Sequence, residues 1–219
     1  MKGKAGLTPC FSYFYSMRVR LYEENVNDKQ LQQVVDCLKS GGVIIYPTDT
    51  VYAFGADMYN NKAIEKINRL KKLEQGQYAI ICHDLSNLSD YTMQLPNQVF
   101  KMMKRALPGP YTFILKANAQ VPKLFHSKRK TIGIRVPDNT IARAIVQSLG
   151  NPMVSSSVLD LDDVVEYTTD PDLIWERYGD DIDMLVDGGY GDNQASTVLD
   201  CSGDDIEVIR EGKGDLNIL

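Results

Sequence analysis

Histidine and cysteine are scarce in this chain, and long apolar runs are missing. Its two histidines, His83 and His126, share no metal-ligand spacing with each other or with Cys10, Cys37, Cys82 and Cys201. That excludes the familiar zinc patterns, and no metal ligand is expected. Four cysteines scattered over 219 residues do not form a disulfide framework, which points to a reducing, cytoplasmic setting. No apolar stretch reaches the roughly 18 residues that a membrane-spanning helix needs, so no membrane partner is expected. The motifs Gly-x-x-x-x-Gly-Lys-Ser/Thr, Gly-x-Gly-x-x-Gly and Gly-x-Ser-x-Gly are all missing. Their absence excludes the ordinary phosphate loop, the dinucleotide fold and the hydrolase nucleophile elbow.

What is present suits one domain with a real core, since 43% of the residues are hydrophobic. In residues 1–16, Lys2 and Lys4 precede Phe11-Ser12-Tyr13-Phe14-Tyr15, an apolar stretch too short and interrupted for a typical signal peptide. We read it as an edge strand, or as an extension upstream of a start at Met17, with 17–219 as the folded domain.

Apolar spacing at Leu31, Val34, Val35 and Leu38 predicts a helix capped by Asn27 or Asp28 and ended by Gly41-Gly42. Helices are also expected near 61–72, 84–91, 97–106, 141–149 and 171–178. Strands are expected at 43–46, 78–82, 111–116, 131–136, 152–156, 184–186, 196–200 and 206–209. The alternation argues for an α/β domain with a twisted, open, mixed sheet and flanking helices.

The net charge of −5 conceals a segregation. Between Lys101 and Arg143 stand ten basic residues and one acid, Asp138, whereas Asp160 to Asp187 holds eleven acids and one base, Arg177. The basic segment suggests a site for phosphates or nucleic acid, with Lys101, Lys104, Arg105, Lys128, Arg129 and Lys130 as its candidates. The acidic segment reads as a solvated helix face and loop.

The most informative stretch is Gly41-Gly42-Val43-Ile44-Ile45-Tyr46-Pro47-Thr48-Asp49-Thr50-Val51-Tyr52-Ala53-Phe54-Gly55. An apolar strand ends at a proline and gives way at once to hydroxyl and carboxylate groups. Such groups beyond the carboxyl end of a strand suit a small ligand. The alternative is a turn in which Asp49 and Thr50 cap a following helix.

This stretch resembles the opening motif of the YrdC/YciO superfamily, the threonylcarbamoyl-adenylate synthases and their paralogues. Further motifs follow in order: Leu107 to Leu115, Lys128 to Pro137, Pro152 to Ser157, Asp187-Gly188-Gly189, Ser196 to Asp200 and Val208 to Gly212. The resemblance covers essentially everything after residue 25. It is nearest the YciO branch, on Lys128-Arg129-Lys130-Thr131-Ile132-Gly133 and Arg210-Glu211-Gly212-Lys213-Gly214-Asp215. It implies a synthase that joins L-threonine, bicarbonate and ATP, with Mg²⁺ accompanying the nucleotide, into threonylcarbamoyl-adenylate for tRNA modification. By the same resemblance Thr50, Cys82, Arg135, Ser157 and Ser196 would lie on the threonine side. Lys71, Thr131 and Arg210 would lie on the nucleotide side.

Two positions depart from the synthase pattern. Leu73 stands where the Lys-x-Arg motif has its arginine, and Leu159 where Ser-x-Asn has its asparagine. Each loss could cost about 3–4 kcal/mol of transition-state stabilisation if it resembles a removed oxyanion donor. The competing expectation is a non-catalytic paralogue that keeps the family's concave basic surface and binds double-stranded RNA or tRNA through phosphate contacts.

Overall fold

The computed structural model describes residues 16–71, 78–122, 130–158 and 168–219. Capping chemistry sets the helix starts. Helix α1, Asp28–Lys39, begins where the Asn27 side chain accepts the Gln30 amide at 3.1 Å, and buries Val34, Val35 and Leu38. Helices α2, Asn61–Lys71, and α3, Asn97–Ala106, follow. Helix α4, Thr140–Leu149, starts at an Asn139 cap and stops at Gly150, whose φ of 84° suits glycine. Helix α5, Pro171–Tyr178, is capped by Asp170 and carries proline in its first turn. Over 84–91 the expected helix shrinks to a 3₁₀ turn at Leu88–Asp90, because the Asp84 side chain accepts the Ser86 amide and commits that backbone to a turn.

Among the described residues ten strands form one sheet: β1 Met17–Arg20, β2 Ile44–Tyr46, β3 Ala53–Asp57, β4 Ala79–Ile81, β5 Tyr111–Lys116, β6 Thr131–Arg135, β7 Met153–Ser157, β8 Met184–Asp187, β9 Thr197–Asp200 and β10 Glu207–Arg210. Their order is β1-β8-β2-β3-β7-β4-β6-β5-β9-β10. The pairs β1/β8, β8/β2, β4/β6 and β5/β9 are parallel, and the others antiparallel. The domain is therefore α/β, with a mixed open sheet and five flanking helices. No helix follows the Asp49-Thr50 turn. The chain returns as β3, antiparallel to β2, so the capping alternative is overturned.

Strand alternation divides the core in two. On one face α2, α3 and α5 pack Ile64, Ile67, Met103 and Ile174 against Ile80, Phe113, Ile134 and Leu199. On the other, α1 and α4 pack Val35, Leu38, Ile145 and Val146 against Ile44, Met153, Met184 and Val186. Each such fully buried aliphatic side chain contributes about 1.5–3 kcal/mol relative to exposure. The second cover is incomplete. Ala79, Ile114, Thr131, Ser157 and Val198, all pointing to that face, are only half-buried although their strands lie inside the sheet. Among the described residues no helix covers that area, which is open as a groove. Among the described residues no helix is long and apolar enough to cross a membrane.

Candidate functional site

Small side chains, followed at one end by Ile114 and Asp200, make the groove floor. Gly55, Ser155, Ala79, Gly133, Ile114 and Asp200 stand in one row across six strands. A Cβ on Gly133 would sit 3.2 Å from the Ala79 Cβ and 3.3 Å from the Thr112 methyl, so the floor there is closely fitted. Tyr46 marks the edge of the covered half. Its ring lies over Gly55, and its hydroxyl donates to Ser155 Oγ at 2.7 Å. Burial pushes the Tyr46 phenol up to about 12, against the opposing effect of the Ser155 hydrogen bond, so it remains a donor at neutral pH.

The Pro47–Tyr52 connection between β2 and β3 supplies one wall. Thr48 Oγ1 donates to the Val51 carbonyl at 2.7 Å and lies 3.0 Å from Thr50 Oγ1, which fixes the turn. Arg135, at the end of β6, donates through Nη2 to Asp49 Oδ1 at 2.8 Å and to Thr50 Oγ1 at 3.1 Å. The other oxygen of Asp49 accepts the Asp138 amide. Arg135 Nε is buried and makes no hydrogen bond.

Arg210 comes from the edge strand. In β10, Glu207 pairs with Asp200 and Val208 with Leu199, but Arg210 then pairs with Val198. Ile209 is the extra residue of a β-bulge. Were Ile209 paired regularly with Val198, alternation would turn Arg210 to the opposite face. With the bulge, Arg210 shares the face of Val198 and Asp200. Its Nε and Nη2 donate to the Ser196 carbonyl at 3.0 and 2.9 Å, and Nη2 reaches Ser196 Oγ at 3.3 Å. Ser196 Oγ lies 2.9 Å from Thr112 Oγ1. Burial, and then the charge of Arg135, hold the Arg210 guanidinium below its ordinary pKa. At the mouth a cavity of about 550 Å³ is bordered by Thr48, Asp49, Tyr190, Asp192 and Lys213. Lys213 Nζ ties the walls together, donating to the Asp49 carbonyl and the Asp192 carboxylate at 2.7 Å each.

The expected site residues divide by position. Thr50, Arg135, Ser196 and Arg210 are brought together. Ser157 lies on the same sheet face, two residues along β7 from Ser155, and its carbonyl accepts the Lys71 ammonium. Thr131 is on that face too but opens β6, about 13 Å along the strand from Arg135. Cys82 is buried with Ile80 in the apolar cluster on the opposite face. Burial, and then Asp84, push its thiol up to about 12, which suits a core residue rather than a ligand contact. Lys101, Lys104 and Arg105 are exposed on α3, which packs on the side away from the groove. With Gln98 they border a surface depression of about 570 Å³. Lys104 sits 6.0 Å over the Phe100 ring, and Arg105 donates to the Ile218 carbonyl. Lys130 is exposed just before β6, whereas Lys128, Arg129, Leu73 and Leu159 lie outside the described residues.

Sequence reasoning passed over Tyr46, Thr112 and Ser155 as site residues. Only their position on the face opposite to Val154 and Phe113 could have revealed the two on β5 and β7. Among the described residues no group of three or more His, Cys, Asp or Glu side chains could hold a metal. Asp49 and Asp192 are engaged by Arg135 and Lys213.

Fold and groove together define an open-faced α/β protein with an arginine- and hydroxyl-lined cleft. The family model Sua5_yciO_yrdC, described as telomere recombination, matches residues 36–212, and the chain belongs to this Sua5/YciO/YrdC family. It is 41% identical over 199 residues to the Escherichia coli (strain K12) protein YciO, itself described as uncharacterized, covering 90% of this chain and 95% of that one. The crystal structure of E. coli YciO superposes with a TM-score of 0.87 at 39% identity, over 93% of this chain and 98% of that chain. The threonylcarbamoyl-AMP synthase of Bacillus subtilis (strain 168) is 34% identical over 192 residues, 85% of this chain and 54% of the synthase. P. abyssi Sua5 complexed with L-threonine shares the fold, with a TM-score of 0.82 at 22% identity, over 89% of this chain and 57% of that one.

Proposed function

We propose that the chain is a synthase of the threonylcarbamoyl-AMP type, joining L-threonine, bicarbonate and ATP into threonylcarbamoyl-AMP with release of pyrophosphate. One observation carries this reading. Arg135 and Arg210 lie close enough for one charge to depress the other's pKa, and among the described residues Asp49 forms an ion pair with Arg135 whereas no carboxylate does so with Arg210. Two neighbouring guanidiniums beside the Thr50 and Ser196 hydroxyls suit an anionic ligand. The name of the B. subtilis relative and the L-threonine in P. abyssi Sua5 supply the substrate.

In this reading Arg135 clamps the carboxylate of L-threonine beside the Thr50 hydroxyl. The amine attacks bicarbonate carbon, water leaves, and a carbamate forms. A carbamate oxygen then attacks the α-phosphorus of ATP, and the bond to the β-phosphate oxygen breaks to release pyrophosphate. Ser157 and Ser196 bridge the two halves, while Lys71, Thr131 and Arg210 serve the nucleotide. The groove holds reactants close and neutralises charge, with no covalent help from the protein. Mg²⁺ enters as the nucleotide complex, because it favours phosphate oxygens and water over an all-protein cage. The product feeds threonylcarbamoylation of tRNA.

The test is pyrophosphate release from ATP by purified protein. Release that requires both L-threonine and bicarbonate supports the synthase. No release, with salt-sensitive binding of double-stranded RNA or tRNA, replaces it with a binding module that uses the exposed Lys101, Lys104 and Arg105 face of α3.

A further inference from the structure

Beside Arg210, two hydroxyl groups are short of one acceptor. Thr112 Oγ1 and Ser196 Oγ lie 2.9 Å apart, and their residues are 9% and 4% exposed. One of the two hydroxyl hydrogens bridges them. Arg210 donates to Ser196 Oγ, which takes up a lone pair and no proton. Neither hydroxyl makes another hydrogen bond among the described residues, so one O–H has no protein acceptor. Nearly buried donors are rarely left so, because an unmet donor is costly.

The geometry decides which proton is spare. The positive guanidinium draws the oxygen of Ser196 towards itself and turns its proton away. Thr112 then fills the second lone pair of Ser196 as donor. Thr112 cannot easily turn elsewhere. It is in register with Val198 on β9, and its methyl lies 3.3 Å from where a Cβ on Gly133 would stand.

We infer that Thr112 is a positioning residue: it aims the Ser196 hydroxyl into the groove, where Ser196 and Arg210 together receive one anionic oxygen of a phosphoryl or carboxylate group. The two chemical sources, pyrophosphate and amino acid, rest on the synthase reading; the pair of donors does not.

The experiment is calorimetric titration of the whole chain with inorganic pyrophosphate and, separately, with L-threonine. Wild type is compared with Thr112→Val, which removes the hydroxyl at nearly constant shape, and with Thr112→Ser, which restores it. Thr112→Val should weaken one of the two ligands about five- to tenfold, and Thr112→Ser should stay within about twofold of wild type. A loss confined to pyrophosphate assigns the oxygen to a phosphoryl group; one confined to L-threonine assigns it to a carboxylate. Wild-type affinity in Thr112→Val for both ligands overturns the inference. So does an equal loss in Thr112→Ser, which would mean packing alone. Should Thr112→Val not fold, Thr112→Ala carries the same comparison. A wild type that binds neither ligand removes this inference and the synthase together. Pyrophosphate binding with the expected Thr112 pattern, but no binding of L-threonine, removes the synthase and leaves the inference standing.

Discussion

Arg135 Nη2 lies 2.8 Å from Asp49 Oδ1, with both side chains less than one-tenth exposed. A buried pair of this kind is held by mutual need, since each charge has lost its water. Asp49 also accepts the Asp138 amide, so its carboxylate is held from two sides beside the guanidinium.

Arg135→Ala should therefore have two separable effects. It strands Asp49, which should lower stability by about 3–5 kcal/mol. It should also abolish L-threonine binding. Adding Asp49→Ala should regain part of the stability and none of the binding. Denaturant titration and calorimetry read the two, and unchanged affinity in the single variant would sink the role given to Arg135.

Ala79 is half-buried and stands mid-floor between Ser155 and Gly133. Ala79→Leu should fill the groove without disturbing either core cluster. Binding of L-threonine and pyrophosphate should fall at least tenfold, or about 1.4 kcal/mol, while the melting temperature stays close to wild type. Intact binding would place the ligand elsewhere.

Deleting Ile209 tests the bulge. Arg210 would then follow Val208 directly and still pair with Val198, so it keeps its face of the sheet. Pyrophosphate release by the deletion variant should stay well above that of Arg210→Ala. A deletion variant as inactive as Arg210→Ala would show that the bulge sets the reach of the guanidinium and not only its face.

Asp187 gives a pH signature away from the groove. Burial alone would raise its pKa, but the Gly189 amide and the guanidiniums of Arg18 and Arg20 hold it below the usual carboxylate range. A depressed folded value adds stability that is present above the unfolded value, about 3.9, and is lost as pH falls through the folded one. Melting temperature should therefore fall more steeply below about pH 4 in wild type than in Asp187→Asn. At neutral pH the variant should be the less stable of the two. Parallel melting curves from pH 2 to 7 would contradict this.

The helices were legible because their apolar spacing is regular, as at Val34, Val35 and Leu38, and because Asn27, Asn139 and Asp170 cap them. Strand β3 was not. Its groove-side position Gly55 must stay small under the Tyr46 ring, so Ala53-Phe54-Gly55-Ala56-Asp57 lacks the branched residues that announce a strand. Clustering along the chain does not reveal faces. Lys101, Lys104 and Arg105 belong to the same basic segment as Arg135, yet α3 packs on the opposite face of the sheet. Thr112 reads as an ordinary strand threonine, and its meaning arises only when β9 docks beside β5. Arg210 could be placed after a strand but not on a face, because alternation cannot foresee the Ile209 bulge.

The order of the strands sets when the groove becomes useful. Most of its floor is laid down by β7, but Ser196, Asp200 and Arg210 arrive only with β9 and β10, which must dock beside the much earlier β5. A nascent chain halted between β7 and β9 would hold Thr50 and Arg135 beside that partial floor and would lack Ser196, Arg210 and Lys213.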